Sequence, residues 1–294
     1  MSPVVSPRRR RDAVPAPEIP IDESAAAAYT APALEKGLDI LELLAGESGG
    51  ISQTAIAQRL ARTTTELFRM LAVLERRGYV MREPDGGYRL TLRLFELAHQ
   101  HPPLKRLLTV ALPAMQELAL STRQSNHLVV HFARRILVVA QVDSPEPMGF
   151  GVRLGAHFPF RLDRASSRVL SAFQPETMQR ELIAELIANS ARAISAAGVR
   201  RQLAEIARKG IYTSPSDTTE GVTDLCAPVF DHSEGAVAAL TLPYLRQRDV
   251  EVSVFAARQA LLATVRRISL ALGAIAEAKP SASTAKRTGS QKGL

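Results

Sequence analysis

The sequence predicts an α+β chain with two folded parts. A small N-terminal part has three short helices closed by a β-hairpin, and a larger C-terminal part mixes strands with helices. Three observations predict this. Apolar residues recur at helical spacing between 33 and 77, with polar breaks near Gly49-Gly50 and Ala61 to Thr64. Two short alternating runs then flank Asp85-Gly86-Gly87, a hairpin signature. From His127 onward, short β-branched runs alternate with longer helical stretches. At 294 residues the chain is long enough for two cores.

The first helix is expected to start near Pro32, a good first-turn residue, and to place Leu34, Leu38 and Leu41 on one face. Ser52 is a plausible N-cap for a short second helix carrying Ile56 and Leu60. Thr63 and Glu66 have the spacing of a capping box, in which each side chain satisfies the other's backbone N–H. The third helix then buries Leu67, Met70, Leu71 and Leu74 and ends at Arg76-Arg77-Gly78. Tyr79 to Arg82 and Tyr88 to Leu92 form the hairpin. Three short helices followed by a hairpin make a winged helix-turn-helix, expected over 31–92.

A linker helix over 93–102 leads to Pro102-Pro103. A long amphipathic helix follows, with Leu104, Leu107, Leu108, Ala111, Leu112, Met115 and Leu118 inward. Strands are expected at His127 to Phe132, Ile136 to Val142 and near Phe150 to Leu154. Helices are expected at about 164–173, 175–189 and 198–208, and strands at Asp224 to Phe230 and Ala236 to Leu242. A final helix over about 249–276 carries Val254, Ala257, Leu261, Val265, Ile268, Leu272 and Ile275 on one stripe. The second domain is expected over 103–278. Residues 1–30 read as a disordered basic arm and 279–294 as a disordered tail.

Charge distribution narrows the function. The net charge of +8 is weak evidence by itself, because half of it sits in the tail as Lys279, Lys286, Arg287 and Lys292. Residues 59–93 carry eight arginines against four acids, whereas 33–47 is acidic. That local segregation favours contact with nucleic acid. The single cysteine, Cys226, excludes an internal disulfide and a multi-cysteine metal site. With no apolar run near the ~20 residues that span a bilayer, the chain is expected to be cytoplasmic, with no membrane partner.

In a winged helix-turn-helix the third helix enters the major groove with its N-terminal residues nearest the base edges. Thr64, Thr65, Phe68 and Arg69 lie opposite the apolar stripe. Arg69 can grip a guanine edge or a phosphate, and the threonines can meet phosphates or thymine methyls. Arg82 and Arg89 on the wing suit backbone or minor-groove contacts. Ser52 and Thr63, at the heads of their helices, complete the DNA-binding set. The plain alternatives are that Arg69 is an ordinary surface charge and Phe68 the rim of a small core.

The chain resembles the IclR-type (isocitrate-lyase-regulator-like) transcriptional regulators. The resemblance covers about 33–276 and rests on Ala33-Leu34-Glu35-Lys36-Gly37-Leu38-Asp39-Ile40-Leu41, on Leu74-Glu75-Arg76-Arg77-Gly78-Tyr79-Val80, and on Gly87-Tyr88-Arg89-Leu90. It continues at Gly221-Val222, Cys226-Ala227-Pro228-Val229-Phe230-Asp231 and Ala238-Ala239-Leu240. It implies a GAF-like α/β effector-sensing domain and dimers or dimers of dimers on palindromic or pseudo-palindromic operators of double-stranded DNA. The implied effectors are small organic or aromatic acids or related catabolic metabolites. Repression or activation is implied, with recruitment of RNA polymerase as a further route.

The resemblance also implies an effector pocket with Arg164, Ala165, Ser214, Asp224, Thr241 and Pro243, under a lid over Arg161 to Val169. Phe150, Val152 and Phe160 are candidates for its apolar wall, although a core position is the default reading for each. Here the lid reads Asp163-Arg164-Ala165-Ser166-Ser167-Arg168 where relatives carry small residues, so Arg164 can supply a bidentate grip on a carboxylate or pair with Asp163 or Asp224. Glu66 likewise stands where many relatives carry a small or hydroxyl residue, a change expected to touch operator preference and not the fold.

An enzyme is disfavoured and no cofactor is expected. Cys226 sits in an apolar strand pattern, and His127 and His131 lie ~13 Å apart along a strand, too far for one metal. From a different class, an interaction or architectural helix-turn-helix protein without an effector remains the alternative.

Overall fold

The computed structural model describes residues 31–100, 102–190, 193–247 and 252–274. The expectations for 1–30, for 279–294 and for Ile275 lie outside these residues. The chain divides into two compact units at Lys105/Arg106.

The first unit contains α1 (Pro32–Ala45), α2 (Gln53–Arg59), α3 (Thr64–Arg76), β1 (Val80–Arg82), β2 (Tyr88–Leu90) and α4 (Arg93–Gln100). Pro32 opens α1, and Ser52 caps α2 by accepting from Ala55 N at 3.2 Å. Gly78 ends α3 in the left-handed region, at φ +76°, where the Tyr79 N–H returns to Leu74 O at 2.9 Å. The wing turns through Asp85-Gly86-Gly87, with Glu83 N donating to Gly87 O at 2.7 Å. Ile51 and Tyr88 exchange backbone bonds at 2.8 and 3.0 Å and thereby pin the wing to the start of α2. A Cβ on Gly87 would come within 3.1 Å of the Gly50 backbone, so the close approach needs glycine. The core holds Ile40, Leu44, Ile56, Ala57, Leu67, Leu71, Val80 and Tyr88.

The buried face of α1 differs from the expected one. In α1 the buried residues are Gly37, Ile40 and Leu44, whereas Leu34 and Leu38 are exposed. Leucines flank the true stripe, so helical periodicity alone supports two phases.

The second unit begins within α5 (Pro102–Thr122) and continues through β3 (Asn126–Phe132), β4 (Arg135–Val142), β5 (His157–Pro159), α6 (Ala165–Ala172), α7 (Glu176–Ala188), α8 (Ala196–Lys209), β6 (Tyr212–Pro215), β7 (Val222–Phe230), β8 (Ala236–Leu245) and α9 (Val254–Ala271). Six antiparallel strands run in the order β5-β4-β3-β8-β7-β6. Helices α6 to α8 connect the two edges. Side chains alternate across a strand, so each strand feeds two cores. Leu225, Ala227, Val229, Leu240 and Leu242 pack with α5 and α9, whereas Val129, Cys226 and Ala239 pack with α6, α7 and α8.

Several local expectations change. No strand covers Phe150 to Leu154. The strand in this region is β5, reached through Gly155 at φ +76°. The β3–β4 turn is made by Ala133 and Arg134, at φ 48° and 59°, so Arg135 already belongs to β4. Leu112 and Val254 face outward rather than into the core.

Leu225 is fully buried in the α5/α9 core. Truncation to Ala is expected to remove about 2–5 kcal/mol through lost burial and the cavity left behind. Urea unfolding followed by circular dichroism measures it, and a loss under ~1 kcal/mol would contradict this packing.

Candidate nucleic-acid interface and effector cleft

The start of α3 is fixed by a reciprocal cap. Thr63 Oγ1 accepts from Glu66 N at 3.3 Å, and Glu66 Oε2 accepts from Thr63 N at 3.0 Å. Lys36 of α1 donates to Glu66 Oε1 at 2.9 Å. The Thr63 backbone donor, with Lys36 next in effect, lowers the Glu66 pKa to about 2. Gln53 Nε2 donates to Thr64 O at 2.9 Å and ties α2 to α3. Glu66 thus holds both the cap and the tie to α1, a structural part beside the one expected for it in operator preference.

Below that cap Leu67 and Leu71 are buried, and Thr64, Thr65, Phe68 and Arg69 face solvent. Phe68 is 58% exposed, so the rim-of-core alternative is not what the structure shows. Arg69 has no ion-pair partner among the described residues. The remaining positions are engaged: Ser52 and Thr63 cap helices, Arg89 Nε meets Glu83 Oε1 at 2.7 Å, and the Arg82 guanidinium lies 5.9 Å from the Tyr88 ring centre.

In the second unit, strand register lays out two polar rows on the face beneath α6 to α8. Ser214, Asp224 and Pro243 are cross-strand partners. Two residues along, ~7 Å away at 3.4 Å per residue, Tyr212, Cys226, Thr241, His127 and Gln141 pair in turn. Thr241 Oγ1 donates to Cys226 Sγ at 3.2 Å. Burial pushes the Cys226 thiol up to about 12, and desolvation lowers His127 to about 4, so both are neutral near pH 7. Burial also raises the Asp224 carboxyl, with the Ser216 hydrogen bond opposing it.

The lid brings two arginines to this floor. Arg164 precedes α6 without capping it, and its guanidinium lies 4.9 Å from the Phe158 ring centre and 4.0 Å from Asp163. Arg168, one turn on, lies 4.9 Å from the Tyr212 ring centre, donates to Tyr212 Oη, and meets Asp217 Oδ2 at 2.8 Å. The Nε of each arginine is buried with no hydrogen-bond partner among the described residues. Both arginines act electrostatically on Asp224.

Arg164 lies near enough to Asp224 to act on it electrostatically, Ser214 and Pro243 flank Asp224 across the sheet, and Pro243, Thr241 and the helix residue Ala165 are buried. Phe160 does not belong to a wall. It is fully buried against the His131 ring, at 4.4 Å between centres, because it closes the core under α6 and α7. Val152 packs on the same core, and Phe150 is half-buried. Arg168, Tyr212, Asp217 and His127 were missed. The four-residue spacing of Arg164 and Arg168 at a helix start was the available signal for the first, and only the strand register brings up the others.

Residues 104–270 match the bacterial transcriptional regulator IclR C-terminal family, and residues 33–84 match the IclR helix-turn-helix domain. The chain belongs to the IclR family. Its members are transcriptional regulators with a DNA-binding helix-turn-helix and a C-terminal effector-binding domain. The chain is similar to the glycerol operon regulatory protein of Streptomyces griseus, at 28% identity over 70% of this chain and 82% of that protein. It is similar to the HTH-type transcriptional regulator KdgR of Escherichia coli, at 27% identity over 81% and 91%. A crystal structure of an IclR homolog from Microbacterium hydrocarbonoxydans, complexed with 4-hydroxybenzoate, shares the fold with a TM-score of 0.67 and 22% identity, covering 82% of this chain and 98% of that one.

Because burial holds the Asp224 pKa above its ordinary 3.8, the fold favours the protonated form. This contribution is complete below the ordinary value and is lost as pH rises through the folded one. Asp224→Asn is therefore expected to melt higher than wild type at pH 7, with the gap closing toward pH 3.5. Thermal melts across that range measure it, and a variant less stable at pH 7 contradicts the assignment.

Proposed function

We propose that this IclR-family chain reads operator DNA through Thr64, Thr65, Phe68 and Arg69 and answers to a small organic or aromatic acid held beside Arg164 and Asp224. The observation that carries the reading is the exposed face of α3: a capped helix whose core side is buried while a free arginine, two hydroxyls and an aromatic ring stand in water. Nothing among the described residues rewards that arrangement, and a major-groove surface does. Ser52 and Thr63 contribute through the helix starts that they cap, and Arg82 and Arg89 follow the phosphate backbone from the wing, Arg89 by exchanging Glu83 for phosphate. Two copies on a palindromic site place their recognition helices about one DNA turn, ~34 Å, apart. An effector acts by favouring one spacing over another, so only differential affinity for the two states regulates.

The effector end is read from charge. Arg164 has only a distant carboxylate partner, and its planar fork suits a carboxylate bidentately. The first amides of α6 lie beside it with no side-chain cap. Beside Asp224, the row of Cys226, Thr241 and His127 is neutral and hydrogen-bonding, so it suits a hydroxyl or carbonyl at the other end of the ligand. Catalysis is not part of this reading, because a thiol with a pKa near 12 is a poor nucleophile.

Arg69→Ala is expected to weaken binding to the chain's own promoter DNA by roughly 5- to 150-fold, the value of one good bidentate base contact. Ligand-induced stabilisation should be unaffected. Gel-shift titrations at fixed salt measure the change, and unaltered affinity removes Arg69 from the interface.

A thermal-shift screen of the full chain against small organic and aromatic acids, 4-hydroxybenzoate among them, tests the effector. A ligand that prefers the native state raises its apparent stability, and Arg164→Gln should abolish that rise for the acid that gives it. A screen in which no acid stabilises the protein favours an effector-free DNA-binding or adaptor protein.

A further inference from the structure

A cavity runs along β6, and neither Arg164 nor Asp224 lines it. It encloses about 580 Å³, within the roughly 300–1,000 Å³ of small-molecule sites, and takes in only Ser214 from the expected effector set. Its floor is apolar, made by Ile206, Ile211 and the Tyr212 ring. Three cations from three helices surround it: Arg168 of α6, Lys209 of α8 and Arg258 of α9. Glu205 is the one acid, and it pairs with Lys209 at 2.6 Å, which leaves two ammonium donors unspent. Arg258 has no ion-pair partner among the described residues. The lining therefore carries a net charge of about +2, from three cations and one acid.

The edge strand adds a backbone donor. Ser216 N donates to Val222 O at 2.9 Å, and Ser214 and Tyr212 pair with Asp224 and Cys226. In an antiparallel ladder this turns the amides of Tyr212, Ser214 and Ser216 toward β7 and the Thr213 N–H outward, into the groove. The strand is only four residues long and ends in Pro215, which has no N–H to offer. A short edge closed by proline resists the addition of another strand. A peptide or a second copy is thus the wrong shape for this groove, and a compact ligand is the right one.

We propose that the groove is a second small-molecule site, for an anion such as a carboxylate, sulfonate or phosphate ester carrying a flat apolar body. The anionic group meets Lys209, Arg258 and the Thr213 N–H, and the body lies on Ile206, Ile211 and Tyr212. Arg168 belongs to both sites: it lines this cavity, stacks on Tyr212 and is held by Asp217, whose loop lies next to Asp224. An anion that draws Arg168 away from Asp217 loosens the wall of the first cleft, so occupancy here modulates the response there. This site stands whether or not Arg164 grips an effector.

The test uses the full chain and 8-anilinonaphthalene-1-sulfonate, an aromatic anion whose fluorescence reports binding. Wild type is expected to bind one equivalent saturably. Lys209→Gln together with Arg258→Gln should raise the dissociation constant about tenfold, and Gln202→Glu, which sets a like charge beside the anion, should raise it as well. Arg164→Gln should leave it within twofold. All these positions lie outside the buried core, and unchanged circular-dichroism melts confirm that the variants fold. The proposal is overturned if wild type does not saturate, if the groove variants bind as wild type does, or if Arg164→Gln abolishes binding, which would put the dye in the first cleft.

Discussion

The ladder between β7 and β8 is the constraint on which the second unit depends. Nine residue pairs hold the two strands in register, from Val222↔Leu245 to Phe230↔Ala236. Because side chains alternate, that register sends Leu225, Ala227, Leu240 and Leu242 to one side and Asp224, Cys226 and Thr241 to the other. One side becomes a dry wall against α5 and α9, and the other becomes a floor able to carry polar groups. A slip of one residue would exchange the two, so the same hydrogen bonds specify both the hydrophobic core and the chemistry of the cleft. The polar side is tolerable because its groups are satisfied locally: Thr241 by Cys226, and Asp224 by Ser216.

The two units solve different problems. Among the described residues, the core of the first has eight buried apolar side chains, so the ends of its helices carry much of its definition. The Thr63–Glu66 cap, the tie from Lys36 and the Gln53–Thr64 bond all act on the first turn of α3. That turn carries the side chains that must be presented in a fixed direction, and each of these contacts leaves the outer face untouched. In the second unit the lid is held by long side chains instead. Arg164 and Arg168 stack on aromatic rings and keep in-plane N–H groups for other partners.

Legibility in the sequence followed the range of the interaction. The capping box, the Gly78 terminus, the wing turn and the β7–β8 pair were readable, because each is set by neighbours within a few positions or by strict alternation. The phase of α1 was not, since leucines border the buried stripe on both sides and only packing against α3 decides between them. β5 escaped because it is three residues long and its pairing partner, Arg135 to Leu137, lies 20 to 24 residues earlier. In the cleft, Arg164 and Asp224 could be named from resemblance, but Arg168 meets Tyr212 and Asp217 at separations of 44 and 49 residues. The tie of Glu66 to Lys36 was not legible for the same reason, since the two are 30 residues apart.

The lone thiol has a practical consequence. Cys226 is fully buried on β7, one strand in from the edge and under the lid helices, so a thiol-specific reagent reaches it only when those helices part from the strands. In a chain with no other sulfhydryl, its alkylation rate is a clock for that opening, written into the natural sequence and needing no engineered label. Any molecule that clamps the lid would slow the clock, whichever of the two sites it occupies.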